Sequence, residues 1–195
     1  MNLVAVKIIT MKGIVVYKSK YGATRQYAQW IANDLNFPAV DVAVLDKEKL
    51  QSADIVVIGS SVYIGKAIIR RWLRINKKLL AGKQVFLFLV CGTPVNKRDQ
   101  LEKYLADSVP AEIRNTGHFF FLPGKMEYKQ LSWLDRFLLQ SGARLMKKDG
   151  EKNILQDYNE VARKNVNDLV AAVQHVMISH NGKSQEPQTT SVHQH

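Results

Sequence analysis

Four apolar runs constrain this chain more than any other feature: GIVVY at 13–17, DIVVIGSS at 54–61, KQVFLFLVCG at 83–92 and GHFFFLPG at 117–124. They are too continuous for strands with one face in water. Strands buried on both faces read this way, and they belong to parallel sheets covered by helices. A fifth run, AVDVAV at 39–44, alternates like a strand. Between the runs, apolar residues recur at helical spacing. The pattern predicts helices over 24–35, with Tyr27, Ala28, Ile31, Ala32 and Leu35 on one face, and over 66–80, 98–107 and 153–177. The last carries Tyr158, Val161, Ala162, Val166, Leu169, Val170 and Val173. The alternation implies an α/β fold: a doubly wound five-stranded parallel sheet in the order 2-1-3-4-5. In such a sheet ligands bind outside the carboxyl ends of the strands, where the strand order reverses. Three strand ends then matter: Lys18 to Thr24, Ser60 to Gly65 and Cys91 to Asn96.

The domain so defined runs over 13–177, behind an N-terminal extension at 1–12 and ahead of a polar tail at 178–195 that is expected to be disordered. A minimal fold of this kind needs only a short loop between its fifth strand and last helix. Here residues 125–152 intervene as an insert. Leu131, Leu134, Leu138 and Leu145 repeat at helical spacing beside Trp133 and Phe137, with basic residues between them. The composition suits a basic amphipathic helix, packed either on the body or on a membrane.

The first strand end is SKYGAT, residues 19–24. A helix N-terminus offers free N–H groups and a partial positive charge, which together stabilise a phosphate. Gly22 allows a tight turn, and the hydroxyls of Ser19 and Thr24 can donate to phosphate oxygens. The same hydroxyls read equally as helix caps. Lys18 and Lys20 could face an anion or simply water. At the second end, Ser61, Tyr63 and Gly65 surround one aromatic ring that suits a flat ligand or ordinary packing. Gly92 and Thr93 end the fourth strand on the same edge. Cys91 reads as a small core residue.

These residues resemble the flavodoxins. YKSKYGATRQYA is similar to the FMN phosphate loop Ser/Thr-x-Thr-Gly-x-Thr, matching at Ser19, Gly22 and Thr24 and departing at Tyr21. VVIGSSVYIGK is similar to the second flavin loop. The insert FFFLPGKMEYKQLSWLDRFLL resembles the extra segment of the bacterial flavodoxin-like, menaquinone-dependent protoporphyrinogen dehydrogenases. The resemblance covers roughly residues 12–177. It implies a flavodoxin-like fold with FMN as cofactor. Ser19, Lys20, Tyr21, Gly22, Ala23 and Thr24 would hold the phosphate. Ser61, Tyr63, Gly65, Gly92 and Thr93 would line the isoalloxazine ring. It further implies a porphyrinogen or other reduced substrate, a quinone acceptor and a place in heme biosynthesis. A flavodoxin-like electron carrier, or a basic module without flavin, are the alternatives. No residue presents itself as a general base, so no catalytic residue is assigned.

A formal net charge of +11 over 195 residues favours anionic partners. From Ile55 to Arg98 there is no Asp or Glu, while Lys66, Arg70, Arg71, Arg74, Lys77, Lys78 and Lys83 crowd one helix and its exit. Propionates and lipid headgroups fit that field, as does a solvated helix face. No DNA-reading motif or single-strand platform appears, so nucleic acid is not the expected partner. The five histidines have no ligand spacing, so no metal site is expected. A single cysteine excludes an internal disulfide and suits a reducing compartment. No apolar run reaches the roughly 18 residues of a membrane span. A cytoplasmic protein is expected, with a peripheral position on the inner face of the cell membrane.

Overall fold

The computed structural model describes residues 11–137 and 157–183. Five strands form the parallel sheet: β1 (Gly13–Lys18), β2 (Ala39–Asp41), β3 (Ile55–Tyr63), β5 (Gln84–Cys91) and β6 (His118–Pro123). Their order is β2-β1-β3-β5-β6, every pairing parallel, which is the 2-1-3-4-5 order expected. Side chains alternate between two cores. Val56 and Ile58 of β3 face one; Ile55 and Val57 face the other. The first core is closed by α2 (Lys47–Gln51), α3 (Arg70–Leu80), α4 (Arg98–Ser108) and α5 (Ala111–Arg114), through Leu50, Leu73, Leu80, Leu101 and Ile113. The second is closed by α1 (Ala23–Leu35) and the last helix, α6 (Asn167–Lys183), through Tyr27, Ile31, Leu169 and Val173. Such two-sided cover is what makes the strand sequences apolar throughout.

Local chemistry sets the element ends. Asn36 takes the left-handed conformation (φ 54°) and its N–H bonds the carbonyls of Ala32 and Asn33, stopping α1. Asp46 caps α2 by accepting from the Glu48 N–H at 2.9 Å.

Three expectations are corrected. The second strand covers only Ala39–Asp41, because Asp41 Oδ1 accepts from the Ala43 N–H at 2.9 Å and turns the chain out of the sheet. The helix expected from 66 begins at Arg70; β3 instead runs to Tyr63 and doubles back as a hairpin into β4 (Lys66–Ala67). The helix expected over 153–177 begins at Asn167. Residues 153–156 lie outside the described residues. Ahead of the helix stand the short strand β8 (Tyr158–Asn159) and a 3-10 turn at Arg163–Val166. Side-chain bonds hold this stretch out of the α conformation. Asn159 Oδ1 accepts from the Val161 N–H (3.1 Å), and Asn165 Nδ2 donates to the Glu160 carbonyl (3.0 Å). The same helix continues past 177 to Lys183, into the segment expected as a tail; residues 184–195 lie outside the described residues.

Strand β8 pairs antiparallel with β7 (Lys125–Met126), so the chain leaves and rejoins the domain at one place. Of the insert, the described part includes a 3-10 turn at Tyr128–Gln130 and helical backbone over 133–137. The rest of the expected amphipathic helix lies outside the described residues.

Candidate functional site

The carboxyl ends of β1, β3 and β5 open into one cavity of about 110 Å³. Of the expected site residues, Ser19, Lys20, Tyr21, Ala23, Thr24, Ser61, Tyr63 and Gly92 line it. Gly22 sits at the N-cap of α1 with φ 87°, a conformation that L side chains rarely adopt. Ser19 Oγ accepts from the N–H groups of Gly22 (3.2 Å) and Arg25 (3.3 Å). The capping reading therefore holds for Ser19. It does not hold for Thr24. Thr24 Oγ1 and Ser61 Oγ are both buried and have no hydrogen-bond partner among the described residues. Buried hydroxyls are nearly always paired, so two orphans on one cleft mark a place where a polar ligand belongs.

Three expected residues do not line the cavity: Gly22, at the N-cap, and Gly65 and Thr93. Gly65 serves the hairpin between β3 and β4: the pairs Val62 with Ala67 and Tyr63 with Lys66 leave Ile64 and Gly65 as a two-residue turn, both at positive φ (47° and 69°). Thr93 turns toward α4, its Oγ1 lying 3.0 Å from the Tyr104 hydroxyl.

Two other residues, unforeseen, complete the site. Tyr158, brought in by β8, lines the cavity, and its hydroxyl fills the space a side chain would need at Gly92: a Cβ there would lie 2.1 Å away. Asp135, from the insert, is only 5% exposed. Lys20 Nζ approaches its carboxylate at 2.7 and 2.9 Å, and the hydroxyls of Tyr21 and Tyr63 both donate to it. The Lys20 ammonium also lies over the Tyr63 ring, 3.6 Å from its centroid. Burial pushes the Asp135 carboxyl up, but the hydrogen bonds from Lys20, Tyr21 and Tyr63, with the Lys20 charge, outweigh it and hold the pKa at about 2. Burial lowers Lys20, yet the hydrogen bond and charge of Asp135 leave it raised overall. Burial raises Tyr63, and the hydrogen bond to Asp135 adds to it. Burial likewise keeps the Cys91 thiol protonated, in keeping with a core residue.

A larger cavity, about 350 Å³, lies elsewhere, along β6 between α4 and α6. It is a groove at the sheet edge and takes only Val95 from the three strand-end loops. Among the described residues no group of His, Cys, Asp or Glu could hold a metal ion.

The model of the flavodoxin domain matches residues 14–153, which span all three strand ends and the whole insert at 125–152. The chain belongs to the flavodoxin domain family. An uncharacterised protein of Methanocaldococcus jannaschii is 26% identical over 103 residues, covering 52% of this chain and 68% of its own. Among solved structures, a flavodoxin from the domain Archaea is 19% identical over 69% of this chain and 93% of its own (TM-score 0.43). Oxidised flavodoxin 1 of Bacillus cereus is 19% identical over 70% and 97% (TM-score 0.39). The Trp repressor binding protein of Bacillus subtilis is 14% identical over 73% and 100% (TM-score 0.43).

FMN is the cofactor to which this membership points, and the polar groups of the cleft suit it. A phosphate at the start of α1 would meet the orphaned Thr24 hydroxyl, and a flat polar ring would meet that of Ser61 in the cleft that Tyr63 and Tyr158 also line. Bound there, FMN supplies one- and two-electron redox chemistry, while the chain supplies its position and local charge. The chain is thus an FMN-binding redox protein of the oxidoreductase or electron-carrier kind.

Proposed function

We propose that this chain is an FMN-dependent oxidoreductase that takes electrons from a reduced tetrapyrrole, protoporphyrinogen IX by resemblance, and passes them to a quinone. Each cycle removes two electrons and two protons from the substrate; the quinone takes up two of each. The observation that carries the reading is the placement of the insert: Asp135 docks its helical segment on the mouth of the FMN cleft. An electron carrier needs an open flavin edge for its partner, whereas an enzyme needs walls around a second ligand.

The same segment exposes Trp133 (79%), Phe137 (60%) and Leu134 to solvent, flanked by Lys129 and Arg136. We place an anionic membrane surface there, where a quinone is met. Near such a leaflet each basic residue contributes about 1 kcal/mol, and the aromatic rings suit the headgroup region. Among the described residues no helix is long and apolar enough to cross a membrane, so this contact would be peripheral.

Protein purified without added flavin is expected to be yellow and to oxidise protoporphyrinogen IX anaerobically when a menaquinone analogue is present. Loss of that activity on stripping FMN, and its return on reloading, would support the enzyme. A flavin that reduces and reoxidises only with a protein partner would establish the carrier instead. A colourless chain that cannot be loaded with FMN would leave only a basic binding module.

A further inference from the structure

We propose that Asp135 is a positioning residue of the cofactor site, holding Lys20 and the rings of Tyr21 and Tyr63 at the mouth of the cleft, and that the Lys20–Asp135 pair sets the charge felt by the reducible ring. The inference rests on FMN occupying this cleft. Asp135 does not itself line the cavity, but each of its three side-chain partners does. Those partners come from two separate places, the loop after β1 and the last residue of β3, and the carboxylate comes from a third segment more than seventy residues further along the chain. The Ser132 N–H also bonds the Tyr21 hydroxyl at 3.3 Å, and the Asp135 N–H bonds Ser132 Oγ at 3.2 Å, so the carboxylate is fixed from its own side too.

The energetic logic is that of a half-buried pair, with Asp135 buried and Lys20 partly open to solvent. One charge shielded by its opposite costs little, whereas either one left alone beside the cavity acts through a medium less polar than water. Reduction of a flavin adds negative charge to the ring. An unpaired Lys20 ammonium favours the reduced form, and an unpaired Asp135 carboxylate opposes it. The two substitutions must therefore move the midpoint potential in opposite directions. A merely structural role gives no reason for opposite signs.

The test is the midpoint potential of FMN bound to the full chain, measured by anaerobic titration with reference dyes for the unsubstituted protein, Asp135→Asn, Lys20→Gln and the double variant. Asp135→Asn is expected to shift the potential upward and Lys20→Gln downward, with the double variant near the starting value. The visible circular dichroism of the flavin, which reads the neighbouring rings, is expected to change in Asp135→Asn. Shifts of the same sign, or none, would overturn the inference while leaving FMN binding intact. Failure of the unsubstituted chain to bind FMN would overturn the cofactor reading and this one with it. If Asp135→Asn does not fold, Lys20→Gln alone decides: an unchanged or raised potential sinks the proposal.

Discussion

At the scale of single residues, the two orphaned hydroxyls separate what the empty fold wants from what the ligand wants. Thr24→Val removes a buried hydroxyl with no partner among the described residues. Stability without FMN is then expected to hold or rise slightly. FMN affinity is expected to fall about 10- to 100-fold, the usual worth of a hydrogen bond to a charged group. Paired urea melts and flavin-fluorescence titrations check this, and equal losses in both would contradict it. Ile64 makes the opposite kind of statement. It is β-branched, 65% exposed and held at φ 47° in the hairpin turn. That conformation costs roughly 1–2 kcal/mol for an L residue, so Ile64→Gly or Ile64→Asn should raise stability by about 1 kcal/mol in a denaturant melt. Asp135 adds a pH dependence. Its folded pKa lies near 2 against an ordinary 3.8, so the stabilisation from its ion pair is complete above pH 3.8 and is lost as pH falls through about 2. The stability difference between the unsubstituted chain and Asp135→Asn should be flat above that window and close within it.

Among the elements, α1 and the approach to α6 are joined by a small polar relay. The fully buried Tyr27 donates to the Pro123 carbonyl at the end of β6 (2.9 Å) and accepts from Asn165 Nδ2 (2.8 Å). Tyr27→Phe deprives the Pro123 carbonyl of this donor and leaves Asn165 Nδ2 with its bond to the Glu160 carbonyl, and should cost about 1–3 kcal/mol in a urea melt. It should also loosen Gly124 next door, which lines the cleft. This relay explains much of what could and could not be read in advance. The strands were legible because burial on both faces leaves no choice of residue, and Ile55–Ile58 or Val85–Val90 can be little else. The strand-end loops were legible for the same geometric reason, and most of their expected ligands do meet in one cavity. Residues 158–166 misled because Tyr158, Val161 and Val166 are spaced as on a helix, while Asn159 and Asn165 redirect the backbone through their side chains. Asp135 carried little local signal. Its meaning comes from Lys20, 115 residues away, and only the fold brings them together. A carboxylate near the end of an apolar, basic stretch was the one available hint.

For the molecule as a whole, the net charge of +11 is distributed unevenly. Along α3, Arg70, Arg71 and Arg74 present a single sign, and Lys77 pairs with Glu112 at 2.6 Å. Lys83, just beyond the helix, instead donates to the carbonyls of Gln51 and Ala53. That field should draw the protein to phosphatidylglycerol vesicles far more than to phosphatidylcholine vesicles, with binding that weakens as salt is raised. Trp133→Ala with Phe137→Ala should weaken the association without changing the salt dependence. Unaltered vesicle binding in that variant would exclude the insert as the membrane face.

The pairing of β7 with β8 carries a wider implication. Lys125 sits opposite Asn159 and Met126 opposite Tyr158, so the points of departure and return are clamped shoulder to shoulder. A chain built this way can trade the intervening stretch for a tight bend, or for a different one, without disturbing the five-stranded scaffold. Under the proposed reading the insert meets the partner, so exchanging it while keeping the carboxylate that grips Lys20 is a route by which one scaffold acquires new clients.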